Sequence, residues 1–267
     1  MSEPVTAAKC GALLDALRVK KPLVHFITNY VTVNDCANIT LAVGGAPVMS
    51  DQPDDAAEIC RLASALVFNI GTPGDRTLEA MLRAGKAANE AGIPVVLDPV
   101  GAGASSFRNR LLEKLLEEVK FAAVKGNISE IRFLASGTGK SMGVDASKDD
   151  IALGSDSSAV ARLAAGLSRG IGAVVIVSGR IDVAADGERA YGISNGDAMM
   201  GRLTGTGCMG SGVVASFLGA APSEPLASSI AGMCVMGLAG ELARKKLAPS
   251  SGTGTYRTIL MDEVSCM

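Results

Sequence analysis

Short apolar segments alternate with longer helical patterns along most of the chain, and this alternation constrains the fold more than any other feature. The segments are rich in β-branched residues and almost free of charge, which is typical of strands buried on both faces. Strands that alternate with helices through short connections form a parallel sheet with right-handed crossovers. The predicted parallel strands are 23–27, 47–49, 65–70, 94–97, 121–125 and 173–177.

Helical patterns with start and stop signals fill the intervals between these strands. Pro53 is typical of a first helical turn, and Gly92 and Gly170 are typical of residues that end a helix. The predicted helices are about 53–64, 76–91, 106–119, 128–136, 157–169, 207–218 and 225–244. Near the end of this series, Asp186-Gly187 separates two short apolar runs, which predicts a β-hairpin and therefore an antiparallel edge to the sheet.

The composition fits one α/β domain over residues 1–267. Hydrophobic residues make up 48% of the sequence and aromatic residues only 3%, so the core must be built from aliphatic side chains. That is typical of a mostly parallel central sheet with helices on both faces. The length is near the upper limit for a single core, although α/β folds often reach it. The polar, glycine-rich stretch 137–156 is interpreted as an excursion within this domain, because the strand–helix alternation continues on both sides.

Charge and targeting signals exclude several classes of protein. A net charge of −2 argues against nucleic-acid and membrane-surface binders, although it leaves a nucleotide substrate open. The N-terminus lacks a secretory pattern, and no uncharged apolar run of about 18 residues predicts a membrane span. The six cysteines form no C-x-x-C pair, which favours reduced thiols in the cytoplasm. His25, the only histidine, lies in an apolar strand and is interpreted as a core residue.

Two glycine-rich segments could bind phosphate, and only one has the right context. The GTGKS sequence at 137–141 lacks the earlier glycine of a Walker motif, where Leu134 stands, and it follows a helical pattern. The LTGTGC sequence at 203–208 comes directly before a long apolar helix. There several backbone N–H groups and the positive end of the helix dipole, roughly half a charge, would meet at one point. Close packing of the helix is the alternative explanation of these glycines.

Polar residues also end two of the predicted strands. Asp98 follows an apolar strand, and Lys125, Asn127 and Glu130 follow the next. Ligands of open parallel sheets bind beyond the carboxyl ends of the strands, so these side chains are expected to meet there. Asp98, Asn127 and Glu130 would supply oxygen atoms suited to Mg²⁺. The alternative is that Asp98 is a turn residue and Glu130 an acid of a first helical turn.

Taken together, these motifs resemble the hydroxyethylthiazole kinase family, a branch of the ribokinase-like superfamily. The likeness extends from about position 25 to position 264. It is carried by NYVTVN at 29–34, GGAPVM at 44–49, DPVGAG at 98–103, KGNISE at 125–130 and TGTGC at 204–208. The resemblance implies a ribokinase-like three-layer fold without a separate lid. It also implies ATP-dependent phosphorylation of 4-methyl-5-(2-hydroxyethyl)thiazole for thiamine biosynthesis. For this reaction we expect Asp98 and Glu130 to help hold Mg²⁺ through waters.

The resemblance further implies roles for individual residues. Met49 and the backbone of Gly205 would contact the thiazole, and Lys125 and Ser178 would contact ATP. The family pattern allows Arg at the position of Lys125 and Thr at that of Ser178. Cys208 stands where most ribokinase-like enzymes have an aspartate base, and the helix dipole is expected to lower its pKa. We therefore expect Cys208 to accept a proton or to position the alcohol.

The resemblance implies a homotrimer with active sites between subunits, in which Met49 and the segment 29–34 face the Gly205 loop of a neighbour. A neighbouring subunit could also exclude water in place of a lid. Two alternatives stay open at this point. One is another ribokinase-like enzyme, such as a hydroxymethylpyrimidine or pyridoxal kinase or an ATP-dependent dehydratase, and the other is a non-catalytic metabolite sensor.

Overall fold

A central sheet of eight strands organises the chain, which the computed structural model describes at residues 4–136 and 156–267. The strands lie in the order β2-β1-β3-β4-β5-β6-β7-β8. Strands β1 to β6 pair in parallel, whereas β7 and β8 are antiparallel and form the far edge. The bounds are β1 Leu23–Ile27, β2 Ala46–Met49, β3 Ala65–Asn69, β4 Val95–Asp98, β5 Ala123–Asn127, β6 Val174–Ser178, β7 Asp182–Ala185 and β8 Ala190–Ile193.

Helices cover both faces of this sheet. Side chains alternate along β3, so that Leu66 and Phe68 face one layer while Val67 faces the other. The first layer is formed by α3 Pro53–Leu62, α4 Asp75–Ala91, α5 Ser106–Glu118, α6 Ile128–Ala135 and α7 Ser157–Ile171. The second layer is formed by α1 Ala7–Lys20, α2 Val33–Val43, α8 Thr206–Ala220, α9 Pro225–Lys246 and α10 Thr253–Cys266. The predicted three-layer α/β fold with an antiparallel edge is confirmed.

The predicted hairpin is also present, and Asp186 explains its geometry. The Asp186 carboxylate accepts hydrogen bonds from the backbone N–H groups of Glu188 and Arg189, at 3.2 and 2.8 Å. Gly187 has φ 90°, a left-handed conformation that glycine adopts without steric strain. The hairpin is therefore confirmed, although four residues, 186–189, connect β7 and β8 in place of the two that the sequence indicated.

Four strands each end in a polar residue, and three of them, β4, β5 and β6, continue one or two residues beyond their predicted ends. β3, β4, β5 and β6 end at Asn69, Asp98, Asn127 and Ser178, so each strand carries a polar side chain to its carboxyl end. These four strands are neighbours in the sheet. The fold therefore brings polar side chains from distant parts of the sequence to one edge, below the start of α8.

Helix α9 is, among the described residues, the one that is long and apolar enough to cross a membrane by length and composition. Most of its apolar stretch is buried inside the fold, where it packs against α1, α8 and α10. At Gly232 a Cβ would lie 3.0 Å from the backbone of Val214 on α8, so the two helices meet closely at this point. Its apolar character matches its position as a core helix.

Candidate active site

The carboxyl ends of the central strands form the floor of the site, and the first turn of α8 forms its roof. In the sheet register, Asn69 stands beside Asp98 and Asn127 stands beside Ser178. Helix α8 begins at Thr206, directly after the glycine-rich turn. The fold therefore brings Asp98, Lys125 and the glycine-rich turn together beyond the strand ends, as predicted.

Gly205 cannot be replaced by a larger residue without strain. It is the N-cap of α8 with φ 90°, and a Cβ at this position would lie 2.7 Å from Cγ2 of Thr32. No side chain caps the helix, so the N–H groups of its first turn face the site without a side-chain acceptor. An unoccupied helix N-terminus of this kind attracts anions. Gly205 thus allows close packing against Thr32 and also leaves a turn whose N–H groups can bind an anion. From the sequence, these were two alternative explanations of the glycines.

Asp98 is a buried carboxylate with strong donors around it. Its Oδ2 accepts hydrogen bonds from Nδ2 of Asn69 at 2.8 Å and from Oγ of Ser211 at 2.9 Å. Burial raises the pKa of Asp98, while Lys125 and these hydrogen bonds oppose the rise. Asp98 is therefore more than a turn residue, because its carboxylate is held at a defined position beside α8.

The thiol of Cys208 lies next to the same groups. Its Sγ is 3.2 Å from Nδ2 of Asn69 and 3.6 Å from Nδ2 of Asn29. Burial raises the pKa of Cys208 above its ordinary value, and the negative charge of Asp98 raises it further. The expectation of a lowered pKa was wrong, because burial and the charge of Asp98 raise the pKa more than hydrogen bonds to the sulfur lower it. At neutral pH the group is a protonated thiol.

The orientation of Asn69 follows from its partners. Its Oδ1 accepts hydrogen bonds from Nδ2 of Asn29 and from the N–H of Gly71, both at 2.9 Å. With the oxygen occupied in this way, the NH₂ group must face Asp98 and Cys208. Sequence reasoning missed Asn69, Asn29 and Ser211 as individual site residues. A signal did exist for Asn69, since it is a polar residue at the carboxyl end of an apolar strand, as Asp98 is.

Lys125 and Ser178 line one cavity of about 500 Å³ between the strand ends and helices α8 and α9. Lys125 is buried, and its Nζ donates to the carbonyl of Gly207 at 2.9 Å. Ser178 Oγ donates to the carbonyl of Gly126 at 3.2 Å. Three methionines line the same cavity, which therefore combines an apolar part with a cationic part. These methionines are Met200, Met233 and Met236.

Glu130 has a structural function in addition to any catalytic one. It forms a capping box with Asn127, in which Asn127 Oδ1 accepts from the Glu130 N–H at 2.9 Å and Glu130 Oε2 accepts from the Asn127 N–H at 2.8 Å. Its other oxygen accepts from the N–H of Gly101 at 2.9 Å. Burial raises the pKa of Glu130, and the negative charge of Asp98 contributes to the rise. Glu130 thus ties the loop after β4 to the start of α6.

Two other parts of the predicted site, Met49 and the segment 29–34, lie on the same side of the sheet as Cys208. Met49 ends the edge strand β2 and packs, half-buried, against the cluster that contains Phe26 and Cys208. The segment 29–34 was expected to face the Gly205 loop of a neighbouring subunit. Within one chain, Asn29 and Thr32 contact Cys208 and Gly205, and the contact with a neighbouring subunit stays a prediction.

Within residues 4–136 and 156–267, no group of three or more His, Cys, Asp or Glu side chains is arranged to hold a metal ion. Asp98 affects the pKa of Glu130, so the two carboxylates are near each other. Among the described residues they form a pair without a third acid, histidine or cysteine that could complete a metal site.

The GTGKS sequence and the rest of 137–155 lie outside the described residues. Asp156, which follows them, caps α7 through its Oδ1.

Comparisons with known proteins show the family to which the chain belongs. The sequence profile of the hydroxyethylthiazole kinase family matches residues 14–267. Hydroxyethylthiazole kinase from Clostridium beijerinckii is 47% identical over 257 residues, which cover 96% of this chain and 92% of that protein.

Solved structures extend the likeness to three dimensions. A hydroxyethylthiazole kinase protein from Pyrococcus horikoshii OT3 superposes with a TM-score of 0.85 at 33% identity, over 97% of this chain and 93% of that one. A ribokinase-like superfamily protein from Enterococcus faecalis V583 superposes with a TM-score of 0.59 at 11% identity, over 99% and 92%, and so shares the fold. The chain has the ribokinase-like fold and belongs to the hydroxyethylthiazole kinase family.

Proposed function

We propose that this protein transfers the γ-phosphoryl group of ATP to the primary alcohol of 4-methyl-5-(2-hydroxyethyl)thiazole, a step in thiamine biosynthesis or salvage. The observation that carries the proposal is the position of Cys208, Asp98 and Lys125 around the uncapped start of α8. This arrangement supplies a polar group for an alcohol, a carboxylate and a cation beside one anion-binding turn. Membership of the hydroxyethylthiazole kinase family supports the same reaction.

The residues favour direct in-line transfer. Phosphoryl transfer depends mainly on positioning and on stabilisation of charge, and needs little covalent help from the protein. The N–H groups of the first turn of α8 would stabilise the developing charge, and the alcohol would lie beside Cys208. Lys125 and Ser178 would position ATP in the cavity that they line, with the apolar methionine-lined part available to the base.

Asp98 and Glu130 would hold the magnesium ion. Their oxygens already accept hydrogen bonds from protein groups, which suits an ion that keeps several waters and takes one or two carboxylates. Bound there, magnesium would neutralise charge on the phosphates of ATP. The two carboxylates are held on separate elements, β4 and α6, so their spacing depends on the contact of Glu130 with Gly101.

We also propose that the thiazole binds through Met49 and the Gly205 backbone in a homotrimer of single-domain, cytoplasmic subunits. Met49 lies on the edge strand of the sheet, where another subunit could approach. Large apolar side chains are exposed close by in the sequence, with Tyr30 79%, Val31 59% and Leu41 58% exposed. Exposed apolar groups next to the Asn29 contact favour a subunit interface beside the active site.

A panel of alcohols tests the function. With saturating Mg-ATP, the purified protein should phosphorylate the thiazole alcohol much faster than hydroxymethylpyrimidine or pyridoxal. ATP turnover should depend on the alcohol, whereas a non-catalytic sensor would show no turnover at all. Faster turnover of the pyrimidine or of pyridoxal would show that the substrate assignment is wrong.

A further inference from the structure

The turn between β6 and β7 places an arginine at the nucleotide cavity. Gly179 donates its N–H to Oδ1 of Asp182 at 2.8 Å, and this bond closes the turn directly after Ser178. Arg180, in the middle of the turn, is exposed and lines the same cavity as Lys125. The sequence analysis assigned no role to Arg180.

The other donors predicted to bind ATP are already engaged with the protein. Lys125 donates to the carbonyl of Gly207, and Ser178 donates to the carbonyl of Gly126. Arg180 makes no hydrogen bond or ion pair with any residue in the two described ranges. Its guanidinium group is therefore a cation at the cavity that lacks a protein partner among those residues.

The charges that line the cavity indicate the kind of ligand that Arg180 would bind. Two acids, Asp182 and Asp197, line the cavity together with the cations Lys125 and Arg180. Both acids accept backbone hydrogen bonds, Asp182 from Gly179 and Asp197 from the N–H of Met199 at 2.7 Å. A nucleotide polyphosphate adds several negative charges beside these acids, and one buried lysine offsets only part of that charge. A guanidinium presents a planar array of donors that matches phosphate oxygens in pairs.

We propose that Arg180 binds the polyphosphate of the nucleotide and determines nucleotide affinity. The proposal rests on the proposed function, because it takes the cavity lined by Lys125 and Ser178 as the nucleotide site. It predicts that Arg180 contributes to binding of ADP and ATP and contributes little to binding of AMP or of the thiazole alcohol.

Calorimetric titration with Mg-ADP and with AMP tests the proposal on the full chain, together with the KM for ATP. Arg180→Ala should weaken Mg-ADP binding and raise the KM for ATP about tenfold, the size typical of a charge-assisted hydrogen bond. Arg180→Lys, which keeps the charge and loses the paired geometry, should fall between Ala and wild type. The KM for the thiazole alcohol should change less than about twofold.

Arg110→Ala is the matched control. Arg110 is an exposed arginine on α5, in the helical layer on the other face of the sheet, and its removal should leave nucleotide binding unchanged. Unchanged Mg-ADP binding by folded Arg180→Ala and Arg180→Lys would overturn the proposal, and so would an equal loss of affinity for ADP and AMP. Failure of the wild type to phosphorylate the thiazole alcohol would instead overturn the proposed function.

Discussion

The side-chain nitrogen of Asn69 lies 3.2 Å from the sulfur of Cys208, and the same nitrogen lies 2.8 Å from Oδ2 of Asp98. One buried amide therefore fixes the distance between the thiol and the carboxylate. Because Asn29 and Gly71 occupy its oxygen, the amide cannot turn over. Asn69 acts as a positioning residue for Cys208 and Asp98.

We expect Asn69→Ala to lower kcat by about 10- to 100-fold and to change the KM for ATP by less than about threefold. The substitution releases the thiol and the carboxylate but leaves Lys125 in place, and small misplacements in a site cost rate more than binding. Steady-state kinetics with both substrates measures the split. Asn38→Ala, at an exposed asparagine on α2, is the control. A kcat within twofold of wild type would show that Asn69 does not position the site.

Much of the fold could be predicted because its strands are apolar and their neighbours carry turn signals. Each parallel strand was found within a few residues of its position, and Asp186-Gly187 indicated the hairpin. Helix α2 was missed. Its sequence contains several β-branched and Asn residues of modest helix propensity, so burial of Cys36, Ile39 and Val43 on one face must stabilise it. Such tertiary stabilisation is not visible in a local pattern. Helices α1 and α10 were missed as well.

A residue of the candidate site could be predicted from the sequence only where that residue lies next to a clear strand or helix, or in a motif of the family. Asp98, Lys125 and Gly205 follow or precede clear elements, and the family resemblance added Cys208. The partners of these residues come from distant segments, as Asn29 does through its bond to Asn69, 40 positions later. The pKa of Cys208 was predicted in the wrong direction, since burial and the approach of Asp98 depend on the tertiary structure.

Glu130 allows its two possible functions to be separated by experiment. Asn127→Ala removes the helix cap but keeps the carboxylate, and should lower the free energy of unfolding by about 1 kcal/mol. Glu130→Gln removes the charge, and we expect it to raise the Mg²⁺ concentration needed for half-maximal activity several-fold. Titrating Mg²⁺ against activity for both variants measures this difference. If Glu130→Gln needs no more Mg²⁺ than the wild type does, Glu130 is a cap and not a metal ligand.

The proposed trimer predicts the effect of a charge on α2. Leu41 is 58% exposed on this helix, close in sequence to the Asn29 contact. We expect Leu41→Glu to lower the sedimentation mass to that of one chain and to reduce activity, because a buried charge would oppose association. Val19→Glu is the control, since Val19 is 85% exposed on α1. A wild-type mass equal to one chain, with full activity, would rule the trimer out.

His25 should make the stability depend on pH near neutrality. It is fully buried, its Nε2 lies 2.8 Å from the Ser50 carbonyl, and its Nδ1 has no hydrogen-bond partner among the described residues. The carbonyl can only accept, so Nε2 carries the proton and Nδ1 does not. A second proton on Nδ1 would be buried without an acceptor, and burial lowers the pKa of His25 below 6.5.

The unfolded chain therefore binds a proton at a higher pH than the folded chain. The free energy of unfolding should fall as the pH falls below about 6.5, by up to about 1.4 kcal/mol per pH unit, until the folded pKa is passed. Because His25 is the only histidine, comparison with His25→Gln isolates its contribution. Urea unfolding at pH 7.5 and 5.5 should show a stability advantage of the wild type that shrinks at the lower pH. An advantage that is constant with pH would contradict this account.

The effect of substituting Cys208 depends on the protonation of its thiol. With its pKa raised by burial and by Asp98, the thiol stays protonated at neutral pH and can be only a weak proton acceptor. We expect Cys208→Ala to lower kcat about 10- to 100-fold without abolishing activity, because the backbone N–H groups of α8 remain. Cys208→Asp should keep or raise kcat. An aspartate has an ordinary pKa of about 3.9, and the amides of Asn29 and Asn69 could donate to it. Kinetics of the three proteins, with intact mass spectrometry, tests this. A trapped phosphocysteine, or a folded but inactive Asp variant, would exclude the proton-acceptor role.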